Sequence, residues 1–494
     1  MGTGKRSFFM GLCLAAAFGW GCNGSTNGDD DAGDDDAGGE DLAGDDAAVD
    51  AVDDPVDDGS VEDADEEDGI EPPAGTWAKT YGGREDDEAY CIENTTEGGY
   101  VAAGATNSYG EGGSDVWVVK LDAGGRIEWE KTYGGPADDE ARSIRQSPRG
   151  GYIVAGSTRS FGVGSDGAVW VLRLDEEGAV QWQKTFDGGQ GAAVALAGGG
   201  GYAVAGGTAQ HGAGGSDAWV IKLDEDGSTL WQNTYGDSDS ETAYAITNTS
   251  DVGFAVAGWT SSFGAGWADF WVLKLDGDGT VVWAKAYGGS EAEDARFIMQ
   301  TPDDGFVVAG WTVSFGAGEA DAWVLKLDSD GGVQWQSAFG GSGIDRAFSV
   351  SRASDGAYVV AGRTESFGSG GADVMVLGLD SEGALQWQKT FGSSYDEEAR
   401  GAAHTRDGRI VAAGKDGYYG TAAADFWVMK MDTEGAIAGS CPEGMTGSGS
   451  AAGAATSVTP EDTPVSASPT GVDADDTAAA ASDSAAGVET QCEG

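Results

Sequence analysis

The chain repeats itself with a period near fifty residues. Marker tryptophans recur at Trp77, Trp129, Trp182, Trp231, Trp283, Trp335 and Trp387, in steps of 52, 53, 49, 52, 52 and 52 residues. A second marker keeps the same step. It reads "DVWVVKLD" from 115, "AVWVLRLD" from 168, "DAWVIKLD" from 217, "DFWVLKLD" from 269, "DAWVLKLD" from 321, "DVMVLGLD" from 373 and "DFWVMKMD" from 425. A period of this length belongs to a propeller or a solenoid, where one unit is copied until neighbours bury each other. The rungs of a β-helix are far shorter.

One unit shows what is being copied. After Trp283 comes "EDARFIMQT" as strand a, a "DDG" turn and "FVVAGWT" as strand b. The glycine-rich connection "VSFGAGEA" then leads to "DAWVLKLD" as strand c, and the turn "SDGG" to "VQWQSAFGG" as strand d. Strand c alternates, with Ala322, Val324, Lys326 and Asp328 on one side and Trp323, Leu325 and Leu327 on the other. Asp-Gly pairs between such runs mark tight hairpins, because glycine accepts the positive φ they need. Helical periodicity is absent. Four strands in each of seven units predict an all-β, seven-bladed β-propeller over residues 76–438. The last unit lacks its outer strand, since Gly439 stands where the marker tryptophan belongs. The first marker, "TWAKTYGG" at 76–83, precedes any strand a, b or c. The N-terminal strand is therefore expected to complete blade 7 and leave no open edge.

The flanks differ in kind. Lys5 and Arg6 followed by the apolar run Phe8 to Phe18 form a signal peptide over residues 1–22, too short to span a bilayer. Gly21 and Cys22 resemble a bacterial lipoprotein signal, which implies Cys22 as the lipidated first residue, although Gly19 and Trp20 depart from the usual preceding residues. The other reading is an ordinary secretory signal cut nearby. Asn23, where such lipoproteins carry Asp for inner-membrane retention, points to the outer membrane or cell surface; otherwise the chain is periplasmic or secreted. Residues 23–75 are Asp, Gly, Ala and Glu, with no Lys or Arg between Arg6 and Lys79. They predict a disordered, extended acidic linker that lifts the domain off its anchor. Residues 439–494 are Ala, Gly, Ser, Thr and Asp, and predict a low-complexity, disordered tail. Cys13 would leave with the signal. Cys441 and Cys492 bracket the tail and form either a disulfide or free thiols, as Cys91 does.

A net charge of −57, from 84 acidic residues against 27 Lys and Arg, argues against nucleic acid and against docking on anionic lipid by charge. Membrane association is expected only through a lipid anchor, and the domain is expected to be a monomer.

The repeated phrases W-x-K-T-Y-G-G, D-G-G-Y-V-V-A-G-x-T-x-S-F-G and D-x-W-V-x-K-L-D-x-x-G-x-V-x-W resemble bacterial propeller repeats of secreted and surface proteins. That resemblance covers Thr76 to Ile437 and implies fold and export more than activity. "LDEEGAVQW" (174–182) is more loosely similar to the tryptophan-docking motif of quinoprotein propellers. The adjacent cysteines those enzymes use are missing here, so no quinone site, and no cofactor, is expected.

Two histidines leave little room for a Ser-His-Asp triad or a zinc site. His211 fills the slot held by Tyr109, Phe161, Phe263, Phe315, Phe367 and Tyr419, which makes it a packing substitute. His404 has no obvious partner. "DEDGS" (224–228) and "DGDGT" (276–280) look like calcium-loop fragments, but the closing glutamate is missing, so they are read as turns. The aspartates that open strand c are Asp115, Asp217, Asp269, Asp321, Asp373 and Asp425. The acids before strand a include Asp87, Glu88, Asp139, Glu140, Glu293, Asp294, Glu397 and Glu398. Both sets are placed on one face, where they hold Ca²⁺ or bond their own loops. Specificity should sit where units differ. Trp259, Trp267 and Trp311 are extra aromatics confined to two neighbouring units, and exposed indoles suit sugars or protein hot spots. The segment "DGGQGAAVALAGGGG" (187–201) loses its acids and predicts a weaker, more mobile strand a.

These features predict a non-enzymatic binding or scaffold module at the cell envelope, with an envelope protein or glycan as partner. The alternative is a carboxylate-dependent polysaccharide lyase or hydrolase, which needs two acids about 5–10 Å apart across a cleft.

Overall fold

The computed structural model describes residues 75–162, 167–417 and 423–437, together with the backbone of six short segments between 454 and 493. Cys13, Cys22, Tyr419, Cys441 and the acidic linker up to residue 74 lie outside the described residues.

Seven antiparallel sheets follow one another along the chain. Blade 1 comprises Asp87–Asn94, Tyr100–Thr106, Asp115–Leu121 and Ile127–Tyr133, as strands a to d. Blades 2 to 6 repeat that order, with their strands a at Asp139–Gln146, Gly189–Leu196, Glu241–Asn248, Glu293–Gln300 and Asp345–Arg352. Blade 7 takes Glu398–His404, Ile410–Lys415 and Phe426–Met431 from the end of the domain, and Trp77–Gly82 from its start. In that closing sheet Trp77 pairs with Lys430 and Tyr81 with Phe426. The seven strands a contact one another in sequence, and the last meets the first. The molecule is a closed seven-bladed β-propeller.

Strand c departs from the expected alternation, being buried along its whole length in blades 1, 2, 4, 5 and 6. Both faces of a blade pack against neighbouring blades, so the second face is covered as well. Trp323 of blade 5 lies 4.7 Å from the ring of Phe270 in blade 4 and 5.4 Å from Phe315 in its own b–c connection. On the opposite face, shared with Ala322 and Val324, Lys326 snorkels to Asp303 Oδ2 (2.8 Å) and Leu327 O (2.9 Å).

The marker tryptophans join blades. Six of the seven donate from the indole Nε1 to a carbonyl in the c–d turn of the next blade: Trp77 to Ala123, Trp129 to Glu176, Trp182 to Glu225, Trp231 to Gly277, Trp283 to Ser329 and Trp335 to Ser381. The ring rests on that turn's glycine. Gly279 has φ +80, and a Cβ there would meet Trp231 at 3.0 Å, so the close approach and the backbone both demand glycine. The turn itself is tied by its aspartate. Asp276 Oδ1 accepts from Asp278 N and Thr280 N, and Asp224 does the same for Asp226 and Ser228. Both calcium-like fragments are thus turn caps.

The tail adds a feature absent from the sequence reading. Backbone at Ala454–Ala455, Glu461–Asp462, Ser468–Pro469, Asp475–Asp476, Ala481–Asp483 and Gly487–Glu493 pairs with strand d of blades 5, 4, 3, 2, 1 and 7 in turn. The partners occupy one equivalent place in each blade: Ala338 with 454, Ala286 with 461, Thr234 with 468, Thr185 with 475, Thr132 with 482 and Thr80 with 489. The tail therefore advances seven residues per blade, and seven extended residues reach about 24 Å. Its sequence carries the same period in Thr456, Thr463, Thr470 and Thr477. The other tail positions, and the expectation of disorder placed on them, lie outside the described residues.

Candidate functional site: the central channel

Strand a lines the axis, and every strand a carries a bulge at the same place. The bulged residues are Tyr90, Arg142, Ala192, Tyr244, Arg296, Phe348 and Arg400. A bulge re-aims its extra residue away from the ladder. All seven line one cavity of about 410 Å³. Around the ring aromatic and arginine alternate, except at Ala192. The Arg142 guanidinium lies 4.2 Å from the Tyr90 ring, Arg296 lies 4.0 Å from Tyr244 and Arg400 lies 4.6 Å from Phe348. Each arginine is also paired two residues back: Arg142 with Glu140 (2.7 Å), Arg296 with Asp294 (2.6 Å) and Arg400 with Glu398 (2.6 Å).

The next layer lies at the seams between blades. Here strand b supplies Ala105, Ser157, Gly207, Trp259, Trp311, Arg363 and Lys415, each directly opposite the residue two before the bulge of its own strand a. These residues are small on blades 1 to 3 and large on blades 4 to 7, so the ring is lopsided. Lys415 reaches Glu88 of the following blade at 2.7 Å. Burial works to raise the Glu88 pKa, but the Lys415 ammonium overrides it and the net value lies below the usual range. Arg346 lies 5.0 Å from the Trp311 ring, and the Trp259 indole donates to Tyr244 Oη at 3.4 Å.

Two of the three tryptophans singled out in the sequence therefore belong to this layer, both half-buried. Trp267 stands apart. It is 65% exposed in the b–c loop, held through its backbone to Glu291 O.

The strand-c aspartates are buried and bond their own connections. Asp115 accepts from Glu111 N at 2.8 Å, Asp321 from Ala317 N and Gly318 N at 3.1 Å, Asp269 from Gly266 N at 3.2 Å and Asp373 from Ser369 N at 3.2 Å. Each also faces the first acid of the next blade. A Cβ on Gly236 would sit 2.3 Å from Asp217 Oδ1 and 2.5 Å from Glu241 Oε2. Asp425 and Asp87 meet in the same way around Gly82. Burial, and then the facing acid, push Asp217 and Asp373 up to about 6; burial does the same for Asp115, with Asp139 adding to it. Among the described residues, no group of three or more metal-ligating side chains comes together. The seam between blades 2 and 3 drops both partners together, with Ala168 and Gly189 in their places. Strand a of blade 3 still pairs from Gly189 to Leu196.

His211 packs at a tilt against Trp219 (5.5 Å), as Phe315 does against Trp323. His404 Nδ1 is 2.7 Å from Ser351 Oγ, and burial lowers its pKa. It borders a second cavity, of about 480 Å³, between blades 6 and 7. Gly378 there replaces the long basic residue that strand c carries elsewhere, such as Lys326 or Lys430. The Cys91 Sγ points to Ala103 O, and burial pushes the thiol up to about 11, away from nucleophilic use. No helix among the described residues is long and apolar enough to cross a membrane.

No protein-family model matches the chain, and no curated protein matches it. Solved structures similar to it include Sqt1 from Chaetomium thermophilum, at 13% identity and a TM-score of 0.42, covering 76% of this chain and 87% of that one. The Dos1 propeller is 12% identical, with a TM-score of 0.40, over 72% and 94% of the two chains. A Bacteroides caccae protein of unknown function is 9% identical, with a TM-score of 0.34, over 64% and 94%. The fold assignment rests on the strand pairing described above.

Proposed function

We propose that this protein is an exported binding module, held at the cell envelope by a lipid on Cys22, whose ligand face is the channel mouth on blades 4 to 6. One observation carries the reading: the large residues that break the repeat collect there, while the repeated polar residues are used in holding blades together. A half-buried indole beside a channel fits a small ring, which favours a glycan over a flat protein surface. The enzyme alternative is weaker on the same ground. The facing acids recur at six of seven seams, as a structural device would, and Asp294, like Glu140 and Glu398, is tied to the arginine two residues on.

The test is a glycan array probed with the secreted chain and with a W259A/W311A double variant. The expected outcome is a discrete glycan set bound by the parent and lost in the variant, both compared at a temperature where melting curves show them folded. Equal binding by both proteins, or none by the parent, rejects the reading.

A further inference from the structure

Three guanidinium groups meet at the seam of blades 5 and 6. Arg296 is neutralised by Asp294 (2.6 Å), and Arg363 by Glu365. Among the described residues Arg346 has neither an ion pair nor a side-chain hydrogen bond, and its Nε is buried without an acceptor. Burial, then the neighbouring Arg363 and Arg296, work against its charge and lower its pKa. Beside it, Trp311 Nε1 is a second buried donor without a partner, and Asp294 Oδ1 is a buried acceptor without one. Asp294 is only 7% exposed. Arg296 Nε and Arg363 Nε are likewise buried without an acceptor, and leaving such groups unmet costs on the order of 1–3 kcal/mol each, so the cluster wants an explanation.

We propose that this cluster is the receptor for a single carboxylate carried on a sugar ring. The charge inventory selects the ligand. Three arginines against two acids leave one positive charge, which matches a monoanion; a dianion would face Asp294 and Glu365 uncompensated. Arg346 and the Trp311 N–H supply donors for the carboxylate, as guanidinium geometry favours. Asp294 Oδ1 accepts from a ring hydroxyl. The Arg296 side of the cavity receives the ring. The strongly acidic chain repels long polyanions, so the ligand is a short uronic acid or the uronic end of a glycan. The assignment rests on the channel-mouth reading above and sharpens it.

The probes are glucuronate, glucose and sulfate, titrated calorimetrically into the full secreted chain and into R346Q, R346K and W311F. The expected result is saturable glucuronate binding, with glucose and sulfate far weaker. R346Q should weaken it by roughly tenfold or more. R346K should retain part of it, and W311F, which keeps the ring but lacks the N–H, should weaken it a few-fold. Thermal melts of each variant separate loss of binding from loss of fold, and if R346Q fails to fold, W311F and R346K carry the comparison. Sulfate binding as tight as glucuronate, no glucuronate binding by the parent, or variants that bind like the parent overturn the assignment. If the array of neutral glycans still responds to W259A/W311A, only the uronate assignment fails and the channel-mouth reading stands.

Discussion

Asp115, Asp217 and Asp373 each face a second acid across a seam, and their pKa values near 6 make stability depend on pH. A carboxyl whose pKa is higher in the fold than in the unfolded chain binds its proton more readily when folded. Its contribution is present at low pH and is lost as pH rises through the folded value. Asp303 has the opposite sign. Burial works to raise it, but Lys326 and Thr301 hold it at about 2, so its contribution is lost as pH falls below about 4. The melting temperature is therefore expected to rise on acidification from about pH 7.5 to about pH 5, and to fall below about pH 4. D115N should flatten the upper limb, because an amide replaces one of two facing carboxyls. A melting temperature that falls steadily from neutral pH downward would contradict this account.

Each strand d is a connector as well as an edge, because its tryptophan seats on the neighbouring turn. W231A should cost about 2–4 kcal/mol, the lower part of the range for large aromatic deletions because this ring is only half-buried. Urea unfolding of that variant checks the value, and L230A, at an exposed neighbour, is expected to change little. The strands, turns and closure were legible in sequence because their signals are local: alternation, Asp-Gly turns and the marker missing at Gly439 of the last unit. The burial of both faces of strand c was not, since alternation alone cannot reveal that a second blade covers the other side. The channel ring was also missed. Its signal is the column following a recurrent alanine, where Ala89, Ala141, Ala243, Ala295, Ala347 and Ala399 precede Tyr90, Arg142, Tyr244, Arg296, Phe348 and Arg400. A variable column beside a constant one marks residues free of packing duty. Trp259 and Trp311 were found by that logic, whereas Trp267, exposed in its loop, satisfied it without joining them.

For the whole molecule, closure depends on a strand drawn from the far end of the domain. A chain starting at Arg84 lacks Trp77–Gly82 and leaves the strand Phe426–Met431 without its partner. Such a chain is expected to unfold at lower urea and to self-associate through the bare edge, measured by light scattering. Equal stability to the parent would show that the ring does not need its latch. The closing strand has ladders on both sides, to Phe426–Met431 and to Gly487–Glu493, so the two extremities of the domain meet in one sheet. Mechanical load entering from the residues before Gly75 arrives first at that doubly bonded strand. Force applied there is expected to shear that strand before it strains any other blade.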